Sequence, residues 1–175
     1  FSSELAGEVA FPCENYGLST REIRERTDAA IEALKLSRLR DRAVDVLSSG
    51  EKQRAAIASV YAMKPKVFVC DEPTANLDAA GTRQLAQTLW QLKEQGFTLL
   101  LAEHRIDWLM GIADRFLYLR DGRIAAEYTP EDLLLLPKAD ILGMGLRSPH
   151  EGKCSPAPSV LDESPAVLKI GRAHV

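Results

Sequence analysis

Apolar and polar positions alternate with two different periods along this chain, and the periods divide it. From Thr20 the apolar residues Ile23, Ala30, Ile31, Leu34 and Leu36 recur at helical spacing. Ser19 or Thr20 is placed to cap that helix, and Glu22 and Glu25 suit its N-terminus. A second helix is predicted from Ser49-Gly50 through Met63, ending before Pro65. Its Ala55, Ala58, Ser59 and Ala62 are small enough for close packing. Leu39 to Leu47 reads as a charged connector, and residues 1–18, with Pro12 and Gly17, as a loop or short helix.

Beyond Pro65 the pattern changes. Val67-Phe68-Val69-Cys70 is a short apolar run, rich in β-branched residues, that reads as a buried strand. A helix is predicted from about Ala79 to Gln95 with Gly96 as its stop. Thr98 to Ala102 reads as a second buried strand, 106–113 as a helix, and Arg115–Leu119 as a strand. Asp121-Gly122 is then a hairpin turn into Arg123-Ile124-Ala125. Helices alternating with buried strands predict an α/β fold with a mostly parallel sheet.

After Leu146 the sequence becomes linker-like, with Pro149, Pro156, Pro158 and Pro165 among Ser, Gly and charged residues. Ala166 to Lys169 reads as the start of a new strand. Residues 170–175 match the translation of a common sequencing adapter and are set aside as a non-native tail.

Composition narrows the function. The 175 residues carry 22 Lys+Arg against 25 Asp+Glu, a net charge of −3, which disfavours broad nucleic-acid binding. Cys13, Cys70 and Cys154 are widely spaced, without a C-x-x-C pair, so neither a disulfide framework nor a zinc site is expected. No apolar run reaches the roughly 18 residues of a membrane span.

Three segments carry chemistry. Leu47-Ser48-Ser49-Gly50-Glu51 opens a helix. Its free N–H groups and the Ser48 hydroxyl suit an anion, and Gly50 permits close approach; taken alone, it also reads as a plain N-cap. Val67 to Asp78 delivers two carboxylates, Asp71 and Glu72, at a strand's C-terminal end, where ligands sit in α/β sheets. Extended-chain alternation points them apart, Asp71 toward Mg²⁺ and Glu72 toward an attacking water, a division suited to phosphoryl transfer. A bare Asp-Glu also fits an acidic strand-end loop. His104, at the end of the next strand, can donate to a phosphate or hold a water, or be purely structural.

Taken together, these segments resemble the ATP-binding-cassette ATPases over residues 1–146. Leu47–Glu51 resembles the family's signature motif, Val67–Asp71 its Walker B strand, Glu72 its catalytic glutamate, Ala75-Asn76-Leu77-Asp78 its D-loop and His104 its switch histidine. The resemblance implies a partial P-loop NTPase fold with a helical signature subdomain at about 1–64. It also implies ATP and Mg²⁺ as cofactors. Asp71 is then the metal ligand, Glu72 and His104 are catalytic, and Ser48, Ser49, Gly50, Glu51 and Asp78 bind nucleotide.

Ser49 and Glu51 stand where many members have Gly and Gln. No Gly-x-x-x-x-Gly-Lys-Ser/Thr occurs: Gly152-Lys153 is followed by Cys154, and Arg147 stands where the first Gly belongs. The family's Gln loop and adenine-stacking aromatic are likewise not found. Because these precede the signature in the family, the resemblance implies a chain cut at its N-terminus, inactive alone.

Phe1 to Phe11, the signature and Glu103-His104-Arg105 are similar to the energy-coupling-factor transporters that import vitamins or metal ions in prokaryotes. That implies three partners: a second ABC ATPase domain, a transmembrane coupling subunit and a substrate-binding membrane subunit. It places the protein peripherally on the cytoplasmic face of the cell membrane. Residues 147–165 resemble the linker of two-cassette members, and 166–169 the first strand of a second cassette. Two other classes compete: a soluble cassette acting on ribosomes or DNA, and a non-hydrolysing regulatory module. Ribosome-acting members tend to carry a His near the D-loop, where this chain has Ala75-Asn76. DNA-repair members interrupt the cassette with a coiled coil or zinc module, of which there is none here.

Overall fold

A computed structural model describes residues 4–146 and the strand 168–171. It divides into two units, with the division falling inside one helix. One holds the chain up to Lys66 together with Asn76–Thr88; the other holds Val67–Ala75 and the residues from Leu89 onward.

The first unit is helical. Leu5–Asn15 forms α1, Thr20–Ala33 α2 and Ser49–Ala62 α3, with single 3₁₀ turns at Ser37–Leu39 and Val44–Val46 in the connector. The N-terminal segment is thus a helix of 11 residues that runs through Pro12. Its Leu5, Val9 and Cys13 repeat every four residues and are all buried, so packing of that stripe overrides the proline's missing donor. Ser19 caps α2, and Glu22 closes the reciprocal hydrogen bonds of a capping box. In α3 the small residues Ala55, Ala58 and Ala62 are buried, while Ser59 is only half-buried.

The second unit is built on a five-stranded sheet. Val67–Asp71 forms β1, Thr98–Ala102 β2, Arg115–Arg120 β3, Arg123–Tyr128 β4 and Leu168–Gly171 β5, in the order β1-β2-β5-β3-β4. β1 runs parallel to β2, and β5 parallel to both β2 and β3; β4 alone is antiparallel. Between β1 and β2 lies α4, Ala79–Glu94, and α5 (Pro130–Leu135) and α6 (Lys138–Gly143) follow the sheet. The mostly parallel α/β arrangement expected from the pattern is present.

Asp121 and Gly122 both take left-handed φ values, 50° and 72°, as a tight β3–β4 hairpin requires. Phe68, Leu89, Leu92, Leu99, Leu101 and Leu109 form the apolar interior of this unit.

Three details differ from expectation. Residues 106–113 make only a 3₁₀ turn at Asp107–Leu109. No side chain caps the start, and Gly111 in the second turn weakens a helix there, so the packing of Trp108, Leu109, Ile112 and Ala113 is met by a single tight turn. The helices α5 and α6 were not anticipated; Thr129 and Asp132 form a capping box at α5, with Pro130 at the first helical position. Lastly, Ile170 and Gly171, set aside as part of a tail, pair within β5. Ladder hydrogen bonds engage the backbone only, so any residue able to extend can occupy that position. The linker assigned to 147–165, and residues 166–167 and 172–175, lie outside the described residues.

Candidate functional site

The two carboxylates sit where β1 leaves the sheet. Asp71 is the last residue of β1, opposite Ala102 of β2, and its side chain is exposed. Glu72 extends the ladder by one bond, its N–H donating to the Ala102 carbonyl at 2.9 Å. It then turns the chain with φ at 44°, in the left-handed region that non-glycine residues seldom adopt. The Ala75 N–H closes the turn onto the Glu72 carbonyl at 3.1 Å. Strand alternation therefore stops at Asp71: the direction of Glu72 is set by this turn, not by the pleat.

The turn aims Glu72 at His104. Nδ1 of His104 lies 3.7 Å from Glu72 Oε1 and 3.8 Å from Glu103 Oε2. The His104 and Glu72 side chains are 34% and 45% exposed, so the pair is open to solvent. At these distances the contacts are electrostatic and longer than hydrogen bonds. Two carboxylates flanking Nδ1 favour the tautomer with its proton there, leaving Nε2 to accept.

Glu103 was not singled out from the sequence, yet it is only 2% exposed. One carboxylate oxygen accepts the Thr74 hydroxyl, and the other accepts the N–H groups of His104 at 3.0 Å and Arg105 at 3.3 Å. Thr74 is itself fully buried. The period-2 signal for Glu103 was readable. Leu99 and Leu101 are the buried positions of β2, and Glu103 continues their face.

Ser48–Glu51 and Asp78 belong to the first unit. At the start of α3, Ser48 Oγ and the Ser48 N–H each donate to Glu51 Oε2 at 2.8 Å, and the Glu51 N–H donates back to Ser48 Oγ at 3.3 Å. The segment is thus a complete capping box. Ser49 is exposed and Gly50 half-buried. A Cβ on Gly50 would stand 3.8 Å from the Gly81 Cα. Asp78 Oδ1 accepts the Gly81 N–H at 2.7 Å, so Asp78 caps α4 where that helix meets the start of α3.

The Ser48 backbone N–H, and secondly its hydroxyl, hold the Glu51 carboxyl below its ordinary value of 4.5. A lowered folded-state value means stability that is present above about 4.5 and lost as pH falls through the folded value. Ser48→Ala is expected to cost about 1 kcal/mol at pH 7. The deficit should shrink as pH falls through the acid range; urea unfolding of both proteins from pH 7 down to pH 3 measures it, and a deficit independent of pH contradicts the assignment.

Among the described residues no group of three His, Cys, Asp or Glu is placed to hold a metal ion. Asp71, an exposed carboxylate at a strand end, is of the kind that suits Mg²⁺, which binds through one or two carboxylates together with phosphate oxygens and water.

Two strand-end carboxylates, one of which (Glu72) approaches a histidine just beyond the neighbouring parallel strand of a mostly parallel α/β sheet, fit the P-loop NTPase class. Solved structures agree on that fold. The chain superposes on cbiO1 of Clostridium perfringens, part of the ABC transporter complex cbiONQ, with a TM-score of 0.71 and 35% identity, covering 86% of this chain and 60% of that one. It matches the ADP conformation of an ATP-binding cassette of an ABC transporter with a TM-score of 0.69 at 25% identity, covering 80% of this chain and 62% of the other. The ABC transporter family model matches residues 3–75. Cobalt import ATP-binding protein CbiO of Rhodobacter capsulatus is 42% identical over 149 residues, 85% of this chain and 53% of its own. A provisionally assigned ABC transporter ATP-binding protein of Treponema denticola is 40% identical over 147 residues, 84% of this chain and 30% of its own. Over most of its length the chain is similar to the ATPase domains of ABC transporters, and it spans between about a third and three fifths of the length of these relatives.

Proposed function

We propose that the intact protein is the ATP-hydrolysing subunit of an energy-coupling-factor importer, and that its cargo is a transition-metal ion, cobalt first among the candidates. The observation that carries the catalytic part is the approach of Glu72 to His104, 3.7 Å apart at the ends of adjacent parallel strands and next to Asp71. The cobalt importer of R. capsulatus, at 42% identity, supports the choice of cargo over a vitamin.

In this reading Asp71 holds Mg²⁺, which when bound neutralises charge on the phosphate oxygens. Glu72 Oε1 takes a proton from water, and His104 Nε2 orients that water by accepting a hydrogen bond. Ser48, Ser49, Gly50 and Glu51 face ATP held on a second cassette, with the Ser48 hydroxyl exchanging its Glu51 partner for a phosphate oxygen. Asp78, capping α4 beside α3, keeps that helix start in place. The phosphate loop, which these residues do not contain, comes from chain outside them. The partners are a second cassette, a coupling subunit and a substrate-binding subunit in the membrane, with the cassettes on its cytoplasmic face. No described helix is long and apolar enough to cross a membrane.

Purified full-length protein is expected to release phosphate from ATP with Mg²⁺ and to stop when EDTA is added. Membrane vesicles carrying the whole complex are expected to accumulate labelled Co²⁺ in an ATP-dependent way. Turnover unaffected by EDTA counts against the role of Asp71; ATP-dependent uptake of a vitamin but not of Co²⁺ or Ni²⁺ counts against the cargo.

A further inference from the structure

We propose that Glu103 is a positioning residue, which fixes the backbone and ring of His104 against Glu72 and ties them to the turn after β1 through Thr74. The inference rests on the catalytic reading of Glu72 and His104 but concerns a residue which that reading does not use.

A carboxylate 2% exposed is costly to bury unless its oxygens are fully partnered. Glu103 has that partnership, and its partners lie in two separate loops. Thr74 lies two residues beyond Glu72, in the turn that gives the glutamate its left-handed backbone. The His104 and Arg105 N–H groups lie in the chain leaving β2. One side chain therefore bridges the segment bearing the base and the segment bearing the histidine. The same oxygen that accepts both N–H groups lies 3.8 Å from His104 Nδ1, so it also favours the proton on that ring nitrogen. The exposed pair Glu72 and His104 carries no direct hydrogen bond of its own; its mutual geometry is imposed from the buried side.

The chemistry separates the useful variants. Glu103→Ala leaves the Thr74 hydroxyl and two N–H groups without their acceptor. Glu103→Gln keeps the bridge: its carbonyl oxygen takes the two N–H groups and its amide donates to the Thr74 hydroxyl. Thr74→Val cuts the bridge from the other end in nearly the same volume.

In full-length protein, Glu103→Ala and Thr74→Val are each expected to lower kcat for ATP by roughly 10- to 100-fold, with KM changed less than about twofold. Glu103→Gln should stay near wild type. In a His104→Ala background, Glu103→Ala should cost no further turnover. Amide NMR supplies a readout independent of activity: the His104 and Arg105 N–H resonances should move upfield in Glu103→Ala and hold in Glu103→Gln. Unmoved amide resonances in Glu103→Ala, a Glu103→Gln variant as impaired as Glu103→Ala, or an undiminished effect in the His104→Ala background would each overturn the positioning role. If His104→Ala itself turns over normally while the amide shifts behave as stated, the geometric bridge stands and the catalytic reading of His104 fails.

Discussion

Glu72→Gln in the full-length protein is expected to bind ATP yet hydrolyse it about 10²- to 10⁴-fold more slowly, the range typical of losing a positioned general base. The substitution keeps the length of the side chain and an oxygen that can stay near His104 Nδ1, now 3.7 Å from the carboxylate. It keeps the backbone N–H that donates to Ala102 and asks no more of the left-handed φ than Glu does. What is lost is the ability to take a proton from water. With binding intact and turnover blocked, the ATP-bound closed pair of cassettes should accumulate, visible as a larger species on gel filtration with ATP and Mg²⁺. Single-turnover phosphate release measures the chemical step directly, and wild-type rates would remove Glu72 from its assigned role. Glu72→Ala should match Glu72→Gln in rate if proton transfer dominates.

Phe68→Ala is expected to cost about 3–5 kcal/mol, the range for truncating a buried aromatic. Phe68 is 2% exposed and meets Phe97 edge to face, ring centroids 5.3 Å apart at 85°. That pairing adds about 0.5–1.5 kcal/mol beyond area burial. Its neighbour Val69 points to the opposite face of β1 and is 70% exposed, so Val69→Ala should stay within about 0.5 kcal/mol. Thermal melts of the two variants test the face assignment of β1 by comparison: similar losses would mean that Phe68 is not the packed side. Because β1 presents Asp71 and Glu72, Phe68→Ala should also loosen the site and lower turnover in proportion to the unfolded fraction.

The periodic elements were legible because their signals are local. The cap at Ser19, the breaker at Pro65, the stop at Gly96 and the hairpin at Asp121-Gly122 each act within a few residues, and each falls where the chain pattern put it. The short segments were less legible. A run such as 106–113 has apolar residues at helical spacing, but it lacks a side-chain cap and contains Gly111, and such weak local signals do not settle between a helix and a single turn.

The carboxylates and the histidine could be picked out by type and position at strand ends. Their geometry could not, because it depends on the turn at Glu72 and on a residue, Glu103, whose importance comes from contacts 29 positions apart in sequence. In the signature segment the Ser48 hydroxyl is engaged by Glu51, so under the proposed function it must release that partner before it can meet a phosphate.

The central place of β5 has a consequence for how the sheet is held. β1 and β2 form one ladder and β3 and β4 another, and each can close over a modest stretch of chain. Among the described residues no ladder joins β2 directly to β3; the two are spliced only through β5, which begins at Leu168, 40 positions after β4 ends at Tyr128. The sheet is therefore two local halves with a slot one strand wide between them, and its continuity rests on a long-range pairing whose loop-closure cost exceeds that of either half. The slot is lined on both sides by backbone donors and acceptors running in the same direction, so it selects for a parallel, extended segment before it selects for any side chain.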